Sequence, residues 1–232
     1  MQKVRKHILS TRDVPAALVQ EAASSSIDID IHSFIEVEAI NDPRIDEMIE
    51  RYSFQSITAI FTSMNAVDAV VDRLNNFKPN WKIGCIGYTT LQLATHYFGA
   101  DNIIALGKDA EELAYDLLAK DDGPYVFFCG DIRRDDLPDI IKQEGKLLEE
   151  LIVYKTIQKP AMLNKTYDGI AFFSPSAVES FFSVNDIPDR TILFAIGKTT
   201  AETIHKYTAN TVVIADKPGK EEMLKAIIQY FN

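Results

Sequence analysis

The sequence predicts an α/β protein made of two similar halves, each built on a parallel sheet. Three observations carry this. Short apolar runs alternate with helical patterns along the chain, the order produced by parallel strands joined through right-handed crossover helices. The strand runs are almost continuously apolar, as strands covered by helices on both faces are. The chain also repeats itself. Phe61-Thr62-Ser63-Met64-Asn65-Ala66-Val67 is echoed by Phe172-Phe173-Ser174-Pro175-Ser176-Ala177-Val178, and Ile86-Gly87-Tyr88-Thr89-Thr90 by Ile196-Gly197-Lys198-Thr199-Thr200. Ile104-Ala105 and Glu111-Glu112 return as Ile214-Ala215 and Glu221-Glu222. All lie about 110 positions apart and in the same order, which implies two related halves of about four strands each.

The elements follow in order. Ile8-Leu9-Ser10 reads as a strand, and a helix over roughly 14–23 opens with Asp13 as N-cap and Pro15 in its first turn. Ile57–Phe61 is the next strand; its helix carries Val67, Val70, Val71 and Leu74 at i, i+3, i+4 and i+7. Ile83–Ile86, Ile103–Leu106, Val126–Cys129, Ile170–Phe173, Ile192–Ile196 and Val212–Ala215 are further strands, and Leu224, Ile227, Ile228 and Phe231 mark the last helix. Two stretches break the rhythm, Ile27–Ile40 and Leu147–Ile157. Both are long, β-prone and alternating, which suits two exposed linker strands, near 28–38 and 148–157. If they pair, the chain crosses from one domain to the other and back. Residues 1–34 with 157–232 would then form a discontinuous α/β domain and 35–156 an inserted one.

Composition limits the function. The chain has 232 residues, 47% of them hydrophobic and 25% charged, with a formal charge of −10. The apolar content excludes disorder, and no apolar run reaches the length of a membrane span. The basic start, Met1-Gln2-Lys3-Val4-Arg5-Lys6-His7, is followed by too short an apolar run for a signal peptide, so a cytoplasmic protein with no membrane partner is expected. The acidic balance argues against nucleic acid, which needs a Lys/Arg surface. Cys85 and Cys129 lie in apolar runs and read as buried free thiols. The four histidines show no metal-ligand spacing, and phosphate-loop, dinucleotide and GxSxG motifs are absent.

The repeated loops carry the candidate chemistry. Each runs from a strand through Ser, or Gly-x-Thr-Thr, into a helix. A hydroxyl at the cap satisfies one orphan N–H and leaves others free, and together with the helix dipole these favour an anion. Gly87 and Gly197 allow tight turns and close approach. In a parallel sheet such loops lie at the carboxyl ends of the strands, where α/β sheets bind ligands. Ser63, Thr90, Ser174, Ser176, Thr199 and Thr200 are therefore candidate binding residues, with plain helix capping as the alternative. Arg12 occupies a similar strand end. Arg133 and Arg134 could bind anions or could pair with Asp131, Asp135 or Asp136 beside them.

These pieces resemble uroporphyrinogen-III synthases. The resemblance rests on Leu9-Ser10-Thr11-Arg12, Phe61-Thr62-Ser63-x-Asn65-Ala66-Val67, Ile86-Gly87-x-x-Thr90, Gly130-x-x-Arg133-Arg134-x-x-Leu137-Pro138, Val153-Tyr154-x-Thr156, Phe173-Ser174-Pro175-Ser176-Ala177-Val178 and Ile196-Gly197-x-Thr199-Thr200-Ala201. They run in family order over nearly the whole chain. Asp13 follows Arg12 where the family usually has Pro.

The resemblance implies two flavodoxin-like domains joined by a two-stranded β linker, with an active-site cleft between them. It implies hydroxymethylbilane as substrate, a linear tetrapyrrole with eight carboxylates. It also implies closure to uroporphyrinogen III with loss of water and inversion of ring D through a spiro intermediate, without a cofactor. The chain is expected to act as a monomer. The family's functionally important tyrosine falls on Tyr154. A phenol stays protonated near neutral pH and can donate to a departing hydroxyl. The competing readings are a non-catalytic two-domain ligand sensor and a nucleotide-using transferase.

Overall fold

Strands and helices alternate through the computed structural model, which describes residues 4–232. The start of the basic segment, Met1-Gln2-Lys3, lies outside the described residues. In chain order the elements are β1 (Lys6–Ser10), α1 (Ala16–Ser24), β2 (Ile27–Ile31), β3 (Ile35–Ala39), α2 (Pro43–Ser53), β4 (Thr58–Phe61), α3 (Met64–Leu74) and β5 (Lys82–Ile86). Then come α4 (Tyr88–Phe98), β6 (Ile103–Gly107), α5 (Ala110–Lys120), β7 (Tyr125–Gly130), α6 (Asp136–Gln143) and β8 (Leu148–Gln158). The chain ends with β9 (Gly169–Phe172), α7 (Pro175–Phe182), β10 (Ile192–Ala195), α8 (Lys198–Ile204), β11 (Val212–Ile214) and α9 (Lys220–Phe231).

The chain divides into two compact units. One comprises the residues up to Glu36 together with Ile157–Asn232, the other Val37–Thr156. The first holds a five-stranded parallel sheet in the order β11-β10-β9-β1-β2. Period-2 alternation sends its side chains to two faces. Leu9, Ile170, Phe172, Leu193 and Ala195 pack with Val178, Phe181 and Ile204. Ile8, Ile27, Ala171 and Phe194 pack with Ala22, Leu224 and Ile227 on the other side. Fully burying a Leu, Ile, Val or Phe side chain stabilises a fold by about 1.5–3 kcal/mol, and such side chains line both faces of this sheet.

The second unit centres on the sheet β3-β8-β7-β4-β5-β6. Its inner strands are parallel. Ala59, Phe61, Ile83, Cys85, Val126 and Phe128 face Val67, Val70 and Ala94. Ile60, Phe127 and Cys129 face Leu113, Leu117 and Ile141. Both cysteines are buried free thiols, each pushed up to about 11 by burial.

The structure corrects the sequence reading in three places. The stretch Ile27–Ile40 is two strands, not one linker. β2 is an edge strand parallel to β1, and Phe34, fully buried against Phe181, separates it from β3. Nor is the stretch Leu147–Ile157 exposed throughout. β8 lies between β3 and β7, and Leu151 and Val153 are buried. The sheets therefore have five and six strands rather than four each, because β2 and the two linker strands are also sheet members. The β3–β8 pairing itself is present: Ile40 N–H donates to the Val153 carbonyl and Lys159 N–H to that of Phe34, at 3.0 and 2.8 Å. Numbers rise on one strand as they fall on the other, so this pair is antiparallel. Finally, α1 is capped at Pro15 and has no side-chain cap bond, so Asp13 does not cap it.

Candidate active site

Within 37–156, three of the expected residues follow strand ends or lie on β8. Ser63 follows β4 and is the N-cap of α3. Its backbone is extended and its hydroxyl accepts from the Asn65 N–H at 3.2 Å. Thr90 follows β5, but Gly87, at φ 83° and ψ 152°, is the cap of α4 and makes no side-chain cap bond. Thr90 is instead the third helical residue and is buried. With no side-chain cap, this loop presents the first backbone N–H groups of α4, the arrangement that favours an anion.

Tyr154 lies half-buried on β8 and packs against the core cluster that contains Phe61 and Phe128. Burial pushes its phenol up, the Ser63 side chain acts on it in the opposite direction, and the charge of Asp131 raises it further. The net shift is upward, so the group is a protonated hydrogen-bond donor at neutral pH. Ser63 and Tyr154 are thus brought together in one unit.

The other unit holds the remaining candidates. Ser174 caps α7, accepting from the Ala177 N–H at 3.2 Å, with Pro175 as first helical residue. Ser176 follows it and is buried. Gly197 caps α8 without a side-chain bond, Thr199 is exposed and Thr200 is buried. The hydroxyls of Thr90, Ser176 and Thr200 are therefore largely enclosed, and what these loops can offer a ligand is backbone N–H. Arg12 is exposed just beyond β1, where the Ser10 hydroxyl donates to its carbonyl at 2.6 Å. Beside it the buried Thr11 hydroxyl donates to the Ala171 carbonyl at 2.9 Å, tying β1 to β9.

The open question over the adjacent arginines resolves towards carboxylates. Arg133 pairs with Asp135 at 2.9 Å and also with Glu150, and Arg134 with Asp136 at 2.7 Å. Sequence reasoning gave Gly130 only a place in a motif and Asp131 only a possible pairing with the adjacent arginines, yet both lie against Tyr154. A glycine closing an otherwise apolar strand was the available signal.

The chain is similar to known proteins. A family model described as Uroporphyrinogen-III synthase HemD matches residues 16–225. The chain belongs to that family. It is accordingly an enzyme of porphyrin biosynthesis. Among solved structures it is similar to uroporphyrinogen-III synthetase from Helicobacter pylori, with a TM-score of 0.65 and 18% identity over 97% of this chain and 99% of that one. It is also similar to a mutant uroporphyrinogen III synthase from the extremely thermophilic bacterium Thermus thermophilus, with a TM-score of 0.66 and 13% identity over 97% and 98%. At these identities the likeness shows the shared fold. Among the described residues no helix is long and apolar enough to cross a membrane.

Proposed function

We propose that this chain is a hydro-lyase that closes hydroxymethylbilane to uroporphyrinogen III, eliminating water and inverting ring D. The observation that carries the reading is the family match over 16–225, and the site residues give it a chemical form. A substrate with eight carboxylates needs many anion donors, and the N–H groups at helix starts can supply them within a protein of net negative charge. The loops at Ser63 and Thr90 in one unit, and at Ser174, Ser176, Thr199 and Thr200 in the other, supply such donors mainly through backbone N–H. Arg12 adds one cationic side chain at a strand end.

The reaction needs no external oxidant or reductant. The terminal hydroxyl leaves as water and the pyrrole nitrogens supply the electrons, giving an azafulvene. The substituted carbon of ring D attacks it to form a spiro intermediate, which fragments and recloses with that ring reversed. The protein folds a flexible chain into the reactive geometry, a contribution of positioning. The proton for the departing hydroxyl comes from Tyr154, a phenol that is protonated at neutral pH. No cofactor enters the scheme, and one copy of the chain suffices as a monomer. Two buried thiols suit a reducing cytoplasm.

The experiment is product analysis. Freshly made hydroxymethylbilane incubated with the protein should give the type III isomer ahead of spontaneous closure. Formation of only the unrearranged isomer, at the uncatalysed rate, would leave a ligand-binding protein and end the reading.

A further inference from the structure

Strand β8 leaves its register beside Gly130. Cys129 is level with Ile152 and Gly130 with Tyr154, so Val153 is an extra residue, a β-bulge. Bulges bend a strand and re-aim its side chains. Strict alternation would send Val153 and Tyr154 to opposite faces, yet both pack against the same core cluster.

The re-aimed phenol lies on Gly130. A Cβ at that position would stand 2.5 Å from Tyr154 Cζ, 2.6 Å from Cε2 and 2.8 Å from Oη. Ordinary carbon contacts are at about 3.5–4.0 Å. Gly130 is not among the positive-φ glycines, so its requirement is space alone. The next residue fastens the strand. Asp131 N–H donates to the Tyr154 carbonyl at 3.1 Å. Asp131 Oδ1 accepts from the Thr156 N–H and the Ile132 N–H, both at 2.9 Å. One residue thus holds the backbone on either side of Lys155.

We propose that Gly130 and Asp131 are positioning residues for Tyr154: the glycine leaves the hollow that the phenol fills, and the aspartate fixes the segment that carries it. The proposal rests on the reading of Tyr154 as proton donor. The atoms an added methyl would meet are the far end of a side chain. Gly130→Ala therefore displaces the ring by about 1 Å and leaves the sheet intact, a shift large enough to matter for catalysis.

The test is steady-state kinetics with hydroxymethylbilane, with a melting curve for each variant. Gly130→Ala and Asp131→Ala should each lower kcat about tenfold or more while KM moves less than about threefold. Asp131→Asn keeps an acceptor oxygen for Thr156 and should recover kcat to within about threefold of wild type. In a Tyr154→Phe background neither Gly130→Ala nor Asp131→Ala should lower kcat further, because the group they position is gone. Additive losses in those double variants would overturn the proposal, as would full kcat in folded Gly130→Ala and Asp131→Ala. Should Gly130→Ala fail to fold, the Asp131 pair decides, and equal losses in Asn and Ala count against it. A wild-type kcat in Tyr154→Phe is a separate result: it removes the tyrosine from the mechanism, and this proposal falls with it.

Discussion

Ser63 in one unit and Ser174 in the other occupy the same station. Each follows a buried parallel strand, is extended (φ −146°, ψ 139° and φ −161°, ψ 155°) and caps the next helix. Their bonds differ. Ser63 accepts from the second helical residue and acts on the Tyr154 phenol, whereas Ser174 accepts from the third. The glycine loops differ more. Gly87 has φ 83°, a region closed to most side chains, while Gly197 is extended at φ −176°. A repeated sequence thus preserves where a helix starts, but each copy sets its own constraint. The bases of the sheets show the same divergence. Asp121 receives the Thr58 hydroxyl, Lys82 and the Gly123 N–H, and Asp168 receives Lys6 and the His7 N–H. Their side chains are 7% and 35% exposed.

That last contrast gives the largest expected effect. Burial alone would raise Asp121, but Lys82, Thr58 and Gly123 together hold it below its ordinary value. Burial is likewise outweighed at Asp168 by His7 and Lys6. Both carboxyls are therefore protonated more readily in the unfolded chain. Their stabilisation is complete above the ordinary carboxylate range and is lost as pH falls through the folded values. Asp121→Ala should cost about 3 kcal/mol at neutral pH, the upper end for hydrogen bonds to a charged group. Asp168→Ala, with a more exposed pair, should cost about 1 kcal/mol or less. Chemical denaturation measures both, and the Asp121 variant should also lose less stability on acidification than the wild type. Equal costs would mean that burial does not separate the two units.

The glycine pair comes next. Gly87→Ser should cost about 2 kcal/mol, because serine must adopt a backbone region that is essentially glycine-only. Gly197→Ser should be neutral or slightly stabilising. Its backbone is already extended, no atom lies within 4 Å of an added Cβ, and serine is a good N-cap. Melting temperatures of the two variants test this, and a cost at Gly197 as large as at Gly87 would restore the symmetry that the repeat suggests.

How much of this was legible varies with what each residue does. The apolar strands were readable because a strand covered on both faces must be apolar throughout, and Val126–Cys129 and Ile192–Ile196 state that directly. What was missed is that β2 is a separate edge strand and that β8, one of the two linker strands, also pairs with β7. The aspartates of Ile27-Asp28-Ile29-Asp30-Ile31 belong to an edge strand with one open side, and alternation does not tell that from an exposed ribbon. The cap serines were legible from type and position. The difference between Gly87 and Gly197 was not, since φ is set by where the chain goes next. The Gly130–Tyr154 contact was hidden for the same reason: a bulge changes register, and only the paired strand reveals it.

The unit that holds the tyrosine should differ from the other in chemistry as well as in stability. Tyr154→Phe keeps the ring in its hollow and removes the hydroxyl. It should lower kcat about tenfold, roughly 1.4 kcal/mol of transition-state stabilisation, with little change in KM or melting temperature. No substitution in the 157–232 loops should give that pattern. A folded Tyr154→Phe variant with unchanged kcat would remove Tyr154 from the proposed mechanism.

The smallest effects come from the serine caps, and here the two units can be set directly against each other. Ser63→Ala and Ser174→Ala each remove one hydrogen bond to an orphan helix N–H, a loss of about 1 kcal/mol of stability. On stability the pair should be indistinguishable. On catalysis they should separate. Without the Ser174 hydroxyl, α7 still offers its backbone N–H groups, and one more is released as Ala177 loses its acceptor. KM should therefore move by no more than about threefold, and kcat should hold. Without the Ser63 hydroxyl, α3 changes in the same way, but the Tyr154 phenol also loses a neighbour that acts against the upward push of burial. The phenol then becomes a weaker acid, and kcat should fall by about twofold to fivefold. In Tyr154→Phe the same Ser63→Ala change should have no further effect on kcat. Kinetics on the single and double variants, with melting curves to confirm equal stability, decide it. Equal kcat values for Ser63→Ala and Ser174→Ala would show that the serine beside the tyrosine is a helix cap and nothing more.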